Sequence, residues 1–182
     1  MVLTESASVE PGKVMPSFEL LDSYGHSFSL DSIKGRLGTI ILFTCNHCPY
    51  AEALWTRFIE LAFDVTSKGV NSLAINPNIN DDYPEDSVLN MKRKSTSLKL
   101  RFPYLVDDKQ EIAKLYSAQC TPDIYLLDAD NRLFYHGQFD DCWQDRARVK
   151  HHSLREAVTA LISSNPINFY VKPSLGCSIK WV

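Results

Sequence analysis

The sequence predicts an α/β fold: a central mixed β-sheet flanked by helices, with a hairpin near the N-terminus and a covering helix near the end. Three observations carry this. Gly38 to Thr44 is a continuous β-branched and aromatic run bounded by turn signals, the pattern of a strand buried on both faces. An apolar stripe at helical spacing follows it, and a second strand, Val70 to Asn76, follows the stripe. Later, two short apolar segments flank the turn Asp128-Ala129-Asp130-Asn131 and read as an antiparallel hairpin. Strand–helix–strand followed by a hairpin makes a mixed sheet, with the first two core strands parallel across a right-handed crossover.

The elements follow in order. Residues 1–16 form a polar lead-in ending at Pro16. Phe18–Asp22, the turn Ser23-Tyr24-Gly25 and His26–Leu30 make a short hairpin, and Lys34-Gly35-Arg36 turns the chain into the buried strand. Ala51, Leu54, Trp55, Phe58, Ile59, Ala62 and Val65 line one face of a long helix, with Gly69 placed to end it at C′. After Val70–Asn76, the Asn- and Asp-rich stretch Pro77–Pro84 is loop. A helix over about 85–99 opens with Glu85 and Asp86 and carries Lys92, Arg93 and Lys94 later, an order that suits the helix dipole. The basic triplet reads as a solvated face, with a docking patch as the alternative.

Tyr104–Asp107 is a short strand. Gln110–Ser117 is a helix with Ile112, Ala113 and Leu115–Tyr116 inward. The hairpin strands are Asp123–Leu127 and Leu133–Gln138. Ser153-Leu154-Arg155-Glu156 is a capping box opening a last helix, with Leu154, Val158, Leu161 and Ile162 on one face; Asn165-Pro166 stops it. Residues 167–182 are a non-periodic tail holding Cys177 and Trp181.

A length of 182 residues predicts a single domain over 1–182, and 45% hydrophobic with 23% charged residues is a globular composition. A net charge of −3 and a pI near 5.9 argue against nucleic-acid binding through a basic face. No apolar run reaches spanning length and no basic-then-apolar leader is visible, so the expectation is a cytoplasmic protein with no membrane partner. The cysteines are odd in number and unevenly placed: Cys45, Cys48, Cys120, Cys142 and Cys177. That spacing points to chemistry rather than to a disulfide scaffold.

The chemistry centres on Thr44-Cys45-Asn46-His47-Cys48-Pro49, where a buried strand hands over to an amphipathic helix. The unpaired amides and positive dipole end of a helix start stabilise a thiolate. Two intervening residues in such a turn bring two sulfurs within disulfide reach. His47, when protonated, favours the Cys45 thiolate. Cys45, ahead of the first turn, is expected to be the exposed attacking sulfur. Cys48, inside the turn, is expected to resolve a mixed disulfide, with Pro49 tolerated at the helix start. A structural zinc site would need about four ligands, and no second Cys pair exists. The second signal is Cys120-Thr121-Pro122-Asp123, opening the late hairpin.

With that pair of signals the chain resembles the thioredoxin superfamily. More narrowly, it resembles the peroxiredoxin-like branch of the alkyl hydroperoxide reductase and thiol-specific antioxidant (AhpC/TSA) proteins. The resemblance rests on Gly12-Lys13-Val14-Met15-Pro16-Ser17-Phe18-Glu19-Leu20, the Cys45–Tyr50 centre, Cys120–Asp123, Leu127–Asp130 leading to Tyr135-His136-Gly137, and the tail from Lys172 to Trp181. It implies a thioredoxin-like fold with residues 77–101 as an inserted helical segment. It also implies that Pro122 is cis, that Thr121 faces the cysteines, and that Thr121 offers backbone groups to a partner.

The sequence departs from that pattern in places. Thr44 stands where Trp is usual, and Asn46-His47 replaces Gly-Pro. Thr39 stands where a buried carboxylate assists proton transfer, leaving His47 as a substitute or a tuner of charge. The peroxiredoxin pattern Pro-x-x-x-Thr/Ser-x-x-Cys fails in both registers: Ile41 and Cys45 precede Cys48, and Gly38 and Leu42 precede Cys45.

The expected function is thiol–disulfide exchange through Cys45 and Cys48, with a thiol-dependent peroxidase and a copper- or zinc-binding protein as alternatives. No cofactor beyond the redox-active disulfide is expected. The expected partners are protein or small-molecule thiols and disulfides, and the expected state is a monomer or weak homodimer. Strand alternation turns Cys120 toward the core, as a buried thiol or a third redox thiol. Cys177, in a tail that must fold back to be ordered, is structural, or a further redox thiol in a resolving or regulatory role. Cys142 reads as a surface or packed thiol, Glu52 as a solvated acid or proton carrier, His136 as a sheet histidine, and His151 and His152 as surface residues.

Overall fold

The computed structural model describes residues 3–182. Its main sheet has seven strands: β2 (Glu19–Asp22), β3 (Ser27–Ser29), β4 (Gly38–Phe43), β5 (Val70–Asn76), β6 (Tyr104–Val106), β8 (Asp123–Asp128) and β9 (Leu133–His136). They lie in the order β3-β2-β6-β5-β4-β8-β9. The β4–β5 and β5–β6 pairs are parallel and the others antiparallel, so the sheet is mixed. β4 is paired along its full length on both sides, and all six of its residues are buried.

Alternation along β4 builds two cores. Ile41 and Phe43 face one way, packing with Leu73, Ile75 and Tyr125 against α1 (Leu30–Ile33) and α4 (Glu111–Tyr116). Ile40 and Leu42 face the other way, against Leu54, Phe58 and Leu61 of α2 (Pro49–Thr66) and Leu154, Ala157 and Val158 of α5 (Ser153–Ile162). Each such side chain contributes about 1.5–3 kcal/mol by leaving water. A smaller cluster seats α3 (Val88–Ser97) through Met91 on Trp55, Ala74 and Tyr104.

A second sheet lies beside the first. Its strands are β1 (Leu3–Glu5), β7 (Cys120–Thr121) and β10 (Leu175–Ser178), in the antiparallel order β1-β10-β7. The polar lead-in and the non-periodic tail therefore contain strands, each too short to show a period. Gly176 permits the close seating of β10: a Cβ there would fall 2.1 Å from the Thr121 carbonyl oxygen.

Several boundaries differ from the sequence expectations. Gly69 does have positive φ (+91°), but α2 ends at Thr66 with Ser67 as its cap. The helix expected over 85–99 begins at Val88; Glu85 and Asp86 lie in a separate short 3₁₀ turn, Pro84–Asp86. The basic triplet is not wholly solvated, because Lys94 folds inward over the Trp55 ring and pairs with Glu52. Leu115 is exposed rather than inward. The Ser153 capping box does not form: His152 is the cap residue, and Ser153 is buried with its hydroxyl accepting from Gln138.

Candidate active site

The ladder of β4 runs one residue further, with the Thr44 amide donating to the Ile75 carbonyl (2.9 Å). The Thr44 side chain is buried, and its hydroxyl has no hydrogen-bond partner among the described residues. The chain then turns through Cys45-Asn46-His47 into Cys48, the N-cap of α2, with Pro49 as the first helical residue. Pro49 is at home there because its missing N–H has no carbonyl to meet.

Both sulfurs lie under the start of the late hairpin. The Thr121–Pro122 peptide is cis. Cys45 Sγ is 3.2 Å from Thr121 Oγ1, and Cys48 Sγ is 3.1 Å from the Thr121 carbonyl oxygen. Cys45 and Cys48 also share a hydrogen bond with each other. Neither is exposed, contrary to the expectation of an open Cys45. The cover comes from parts of the chain far away in sequence. Tyr50 and Cys177 pack on the two cysteines, and Tyr50 in turn lies against Trp143 at 4.1 Å between ring centroids.

The Asn46-His47 dipeptide is fastened to the 3₁₀ turn. Fully buried Asp86 accepts from the Asn46 amide (2.5 Å), from Asn76 Nδ2 (3.1 Å) and from His47 Nδ1. Asn46 Nδ2 donates to the Glu85 carbonyl at 2.8 Å, and Tyr104 OH donates to Asn46 Oδ1 at 3.1 Å. His47 stacks near Tyr83, with 4.5 Å between centroids. Thr39 accepts from the Gly35 amide through its hydroxyl, and the carboxylate hydrogen-bonded to the dithiol turn is Asp86, from the inserted segment. A polar local sequence concealed it, because Glu85-Asp86 before a helix reads as a solvated first turn.

These contacts divide the two thiols. Cys48 is driven down to about 5, first by the hydrogen bond from Cys45 and then by Cys177 and the Ala51 amide, against its burial. Cys45 is pushed well up by burial, by its hydrogen bond to Cys48 and by the Asp86 charge, with Thr121 partly opposing. The two thiols are thus pushed in opposite directions, Cys48 down and Cys45 up. Burial lowers Lys94 to about 8, while the charge of Cys45 pulls it the other way.

On the opposite flank, Cys177 Sγ lies 2.8 Å from Cys48 Sγ, carried there by β10 with Cys177 in register with Thr121. The remaining candidates stand apart. Cys120 is buried, its thiol donating to the Pro122 carbonyl at 3.5 Å, and burial pushes it far up. Cys142 sits in a loop whose backbone carbonyl is held by Arg57 (3.1 Å). His136 bonds to Asp123 at 2.8 Å and stacks on Tyr125 at 4.0 Å, while His151 and His152 are exposed. Glu52 is engaged by Lys94. Ligand atoms of Cys45, His47 and Asp86 lie within 4.8 Å of one another, a grouping able to hold a metal ion. A cavity of about 150 Å³ opens beside Pro122, between Tyr50, Arg57, Phe139 and Trp143. No helix among the described residues is long and apolar enough to cross a membrane.

Comparison with known proteins places this geometry. A family model described as the AhpC/TSA family matches residues 11–136. The thiol-disulfide oxidoreductase ResA of Geobacillus kaustophilus (strain HTA426) is 25% identical over 130 residues, which is 71% of this chain and 70% of that protein. A crystal structure of an uncharacterized conserved protein from Geobacillus kaustophilus superposes with a TM-score of 0.94 at 42% identity, covering 100% of this chain and 97% of the other. The thioredoxin domain of a thiol-disulfide oxidoreductase from Bacteroides vulgatus matches with a TM-score of 0.59 at 18% identity, covering 71% and 89%, and shows that the fold is that of thioredoxin.

Proposed function

The chain belongs to the AhpC/TSA family, and from that premise we propose that it is a thiol–disulfide oxidoreductase in which Cys45 and Cys48 carry the electron pair. One observation carries the reading: two buried cysteines at the head of α2 lie beneath Thr121 and Pro122, with Cys45 Sγ 3.2 Å from Thr121 Oγ1 and Cys48 Sγ 3.1 Å from the Thr121 carbonyl oxygen. Its relatives named thiol-disulfide oxidoreductase ResA support it.

A thiolate attacks a sulfur of the substrate disulfide. A mixed disulfide forms, and the first substrate thiolate leaves. The second cysteine then attacks the bound protein sulfur, closing Cys45–Cys48 and releasing the other substrate thiolate. Two electrons pass from the dithiol to the substrate, so no organic cofactor is required. Attack by Cys45 followed by resolution by Cys48 needs the proton to cross the hydrogen bond between them. His47 and Asp86 then tune Cys45 through charge, and Thr44 and Pro49 hold the turn. Thr121 and Pro122 form the edge where a partner docks, next to the cavity lined by Tyr50 and Trp143.

A glutathione redox titration read by mass spectrometry tests this. A Cys45–Cys48 disulfide is expected, together with insulin reduction that Cys45→Ser and Cys48→Ser each abolish. Absence of that disulfide at every glutathione ratio overturns the reading. Stoichiometric hydrogen peroxide consumption would instead mark a peroxidase. The Cys45–His47–Asp86 grouping favours metal binding as the second reading, and zinc or copper retained through purification and lost in Cys45→Ser would establish it.

A further inference from the structure

The edge at which a partner would dock is already occupied. Thr121 pairs antiparallel with β10, Cys177 standing opposite Thr121 and Ser178 opposite Cys120. The strand is held at both ends: Ser174 donates its hydroxyl to the Gly137 carbonyl (2.8 Å), and the Ile179 amide donates to the Gln119 carbonyl (3.0 Å). Gly176 presses its backbone onto Thr121 where no larger residue fits. The side chain this strand delivers to the dithiol is a buried cysteine, with its sulfur 2.8 Å from Cys48. A bonded sulfur pair stands at about 2.0 Å, so little movement separates this contact from a disulfide.

Resting on the dithiol reading above, we propose that β10 is a built-in substrate strand: it lies on Thr121 as a bound peptide would, and its Cys177 forms a disulfide with Cys48. The step is an exchange. The Cys177 thiolate attacks Cys48 Sγ in the Cys45–Cys48 disulfide. The Cys48–Cys177 bond forms, the Cys45–Cys48 bond breaks, and Cys45 leaves as a thiolate that takes up the proton Cys177 gave. No electrons are gained or lost, and oxidation still enters through the substrate disulfide. In the reduced protein the Cys177 thiol is pushed up to about 12 by burial, by its hydrogen bond to Cys48 and by the charge there. The last two influences end once Cys48 is bonded to Cys45, and the Lys180 ammonium, which favours the Cys177 thiolate, remains. The exchange returns a reduced Cys45 to the site and ties the tail to the head of α2.

Oxidised glutathione as the oxidant, acid quenching and tryptic mapping separate the two states. Cys45 and Cys48 share the peptide 37–57, and Cys177 lies in 156–180, because Lys172-Pro173 resists cleavage. A Cys45–Cys48 disulfide leaves 37–57 uncoupled and lighter by two hydrogens; a Cys48–Cys177 disulfide joins the two peptides. The joined pair is expected in the native chain and in Cys45→Ser, and is lost in Cys177→Ser, which keeps the internal loop. Joined peptides in the native chain but not in folded Cys45→Ser would assign the bond to Cys45 and overturn the proposal. So would the internal loop alone in the native chain, or a persistent glutathione adduct on Cys48 in Cys45→Ser; in those cases the dithiol reading stands. Neither product in the native chain would overturn both.

Discussion

The dithiol has two unlike flanks. On one, Asp86 reaches the Asn46-His47 turn across 39 residues of sequence and brings a charge, a histidine and two asparagines. On the other, Cys177 arrives from 129 residues away and brings sulfur in apolar surroundings. Both flanks are buried, yet they act on different atoms. The carboxylate raises Cys45, while the thiol donor helps to lower Cys48. The two sulfurs are thus shifted in opposite directions by like charge on one side and a donor on the other.

The strongest way to break this comparison is to remove the sulfur on which the asymmetry rests. Cys48→Ser is expected to lower thiol–disulfide exchange by roughly 10⁴-fold or more in an insulin-reduction assay. It also removes a pH dependence. Cys48 is depressed from an ordinary 9.0 to about 5, so the unfolded chain binds more protons between those values. The stability of the reduced protein therefore rises with pH from about 5 to 9. Cys45, raised above 9.0, turns the slope downward at higher pH. A Tm series on reduced protein should show the rise, and Cys48→Ser should flatten it; a rise that survives the substitution would refute the placement of charge.

Asp86→Asn breaks the charged flank. It removes the like charge facing Cys45, so the pH midpoint of Cys45 alkylation is expected to fall, while changed partners at Asn46 and His47 cost about 1–3 kcal/mol in urea denaturation. An unmoved midpoint would show that Asp86 only braces the turn. Gly176→Ala attacks the other flank by setting a Cβ against the Thr121 carbonyl. A destabilisation of about 1–3 kcal/mol is expected, with faster amide exchange confined to β1, β7 and β10; uniform exchange across β4 as well would sink this. The smallest effect belongs to Lys180→Gln. Lys180 lies over Tyr83 at 5.6 Å and favours the Cys177 thiolate, so a modest upward shift in Cys177 titration is expected with stability changed by no more than about 0.5 kcal/mol.

How much of this was legible follows from where the information sits. β4 and α2 could be read because their signals are local: an unbroken apolar run, then a stripe at helical period. Cys45, Cys48, Thr121 and Pro122 could be picked out as two short motifs, although their contact spans 76 residues at Cys45. Asp86 could not, since a carboxylate in a polar stretch before a helix looks the same whether it faces water or a histidine. Nor could the register of Cys177: Leu175-Gly176-Cys177-Ser178 has no alternation, and its partners Leu3 and Thr121 lie far from it and from each other in the chain. The burial of Cys45 is hidden for the same reason, since the groups that cover it lie elsewhere in the sequence.

The pairing of β1 with β10 has a mechanical consequence. Leu3 lies opposite Cys177 and Glu5 opposite Leu175, so the start of β1 and the end of β10 lie side by side at one end of their ladder. Tension applied between them opens this ladder like a zipper, one pair at a time beginning at Cys177, rather than shearing it all at once. The expected force trace has a low first step that releases β1 before β4 yields, and a single high rupture would contradict it. Load across this ladder would therefore free β1 while β10 still holds Cys177 against Thr121 and the core is still folded.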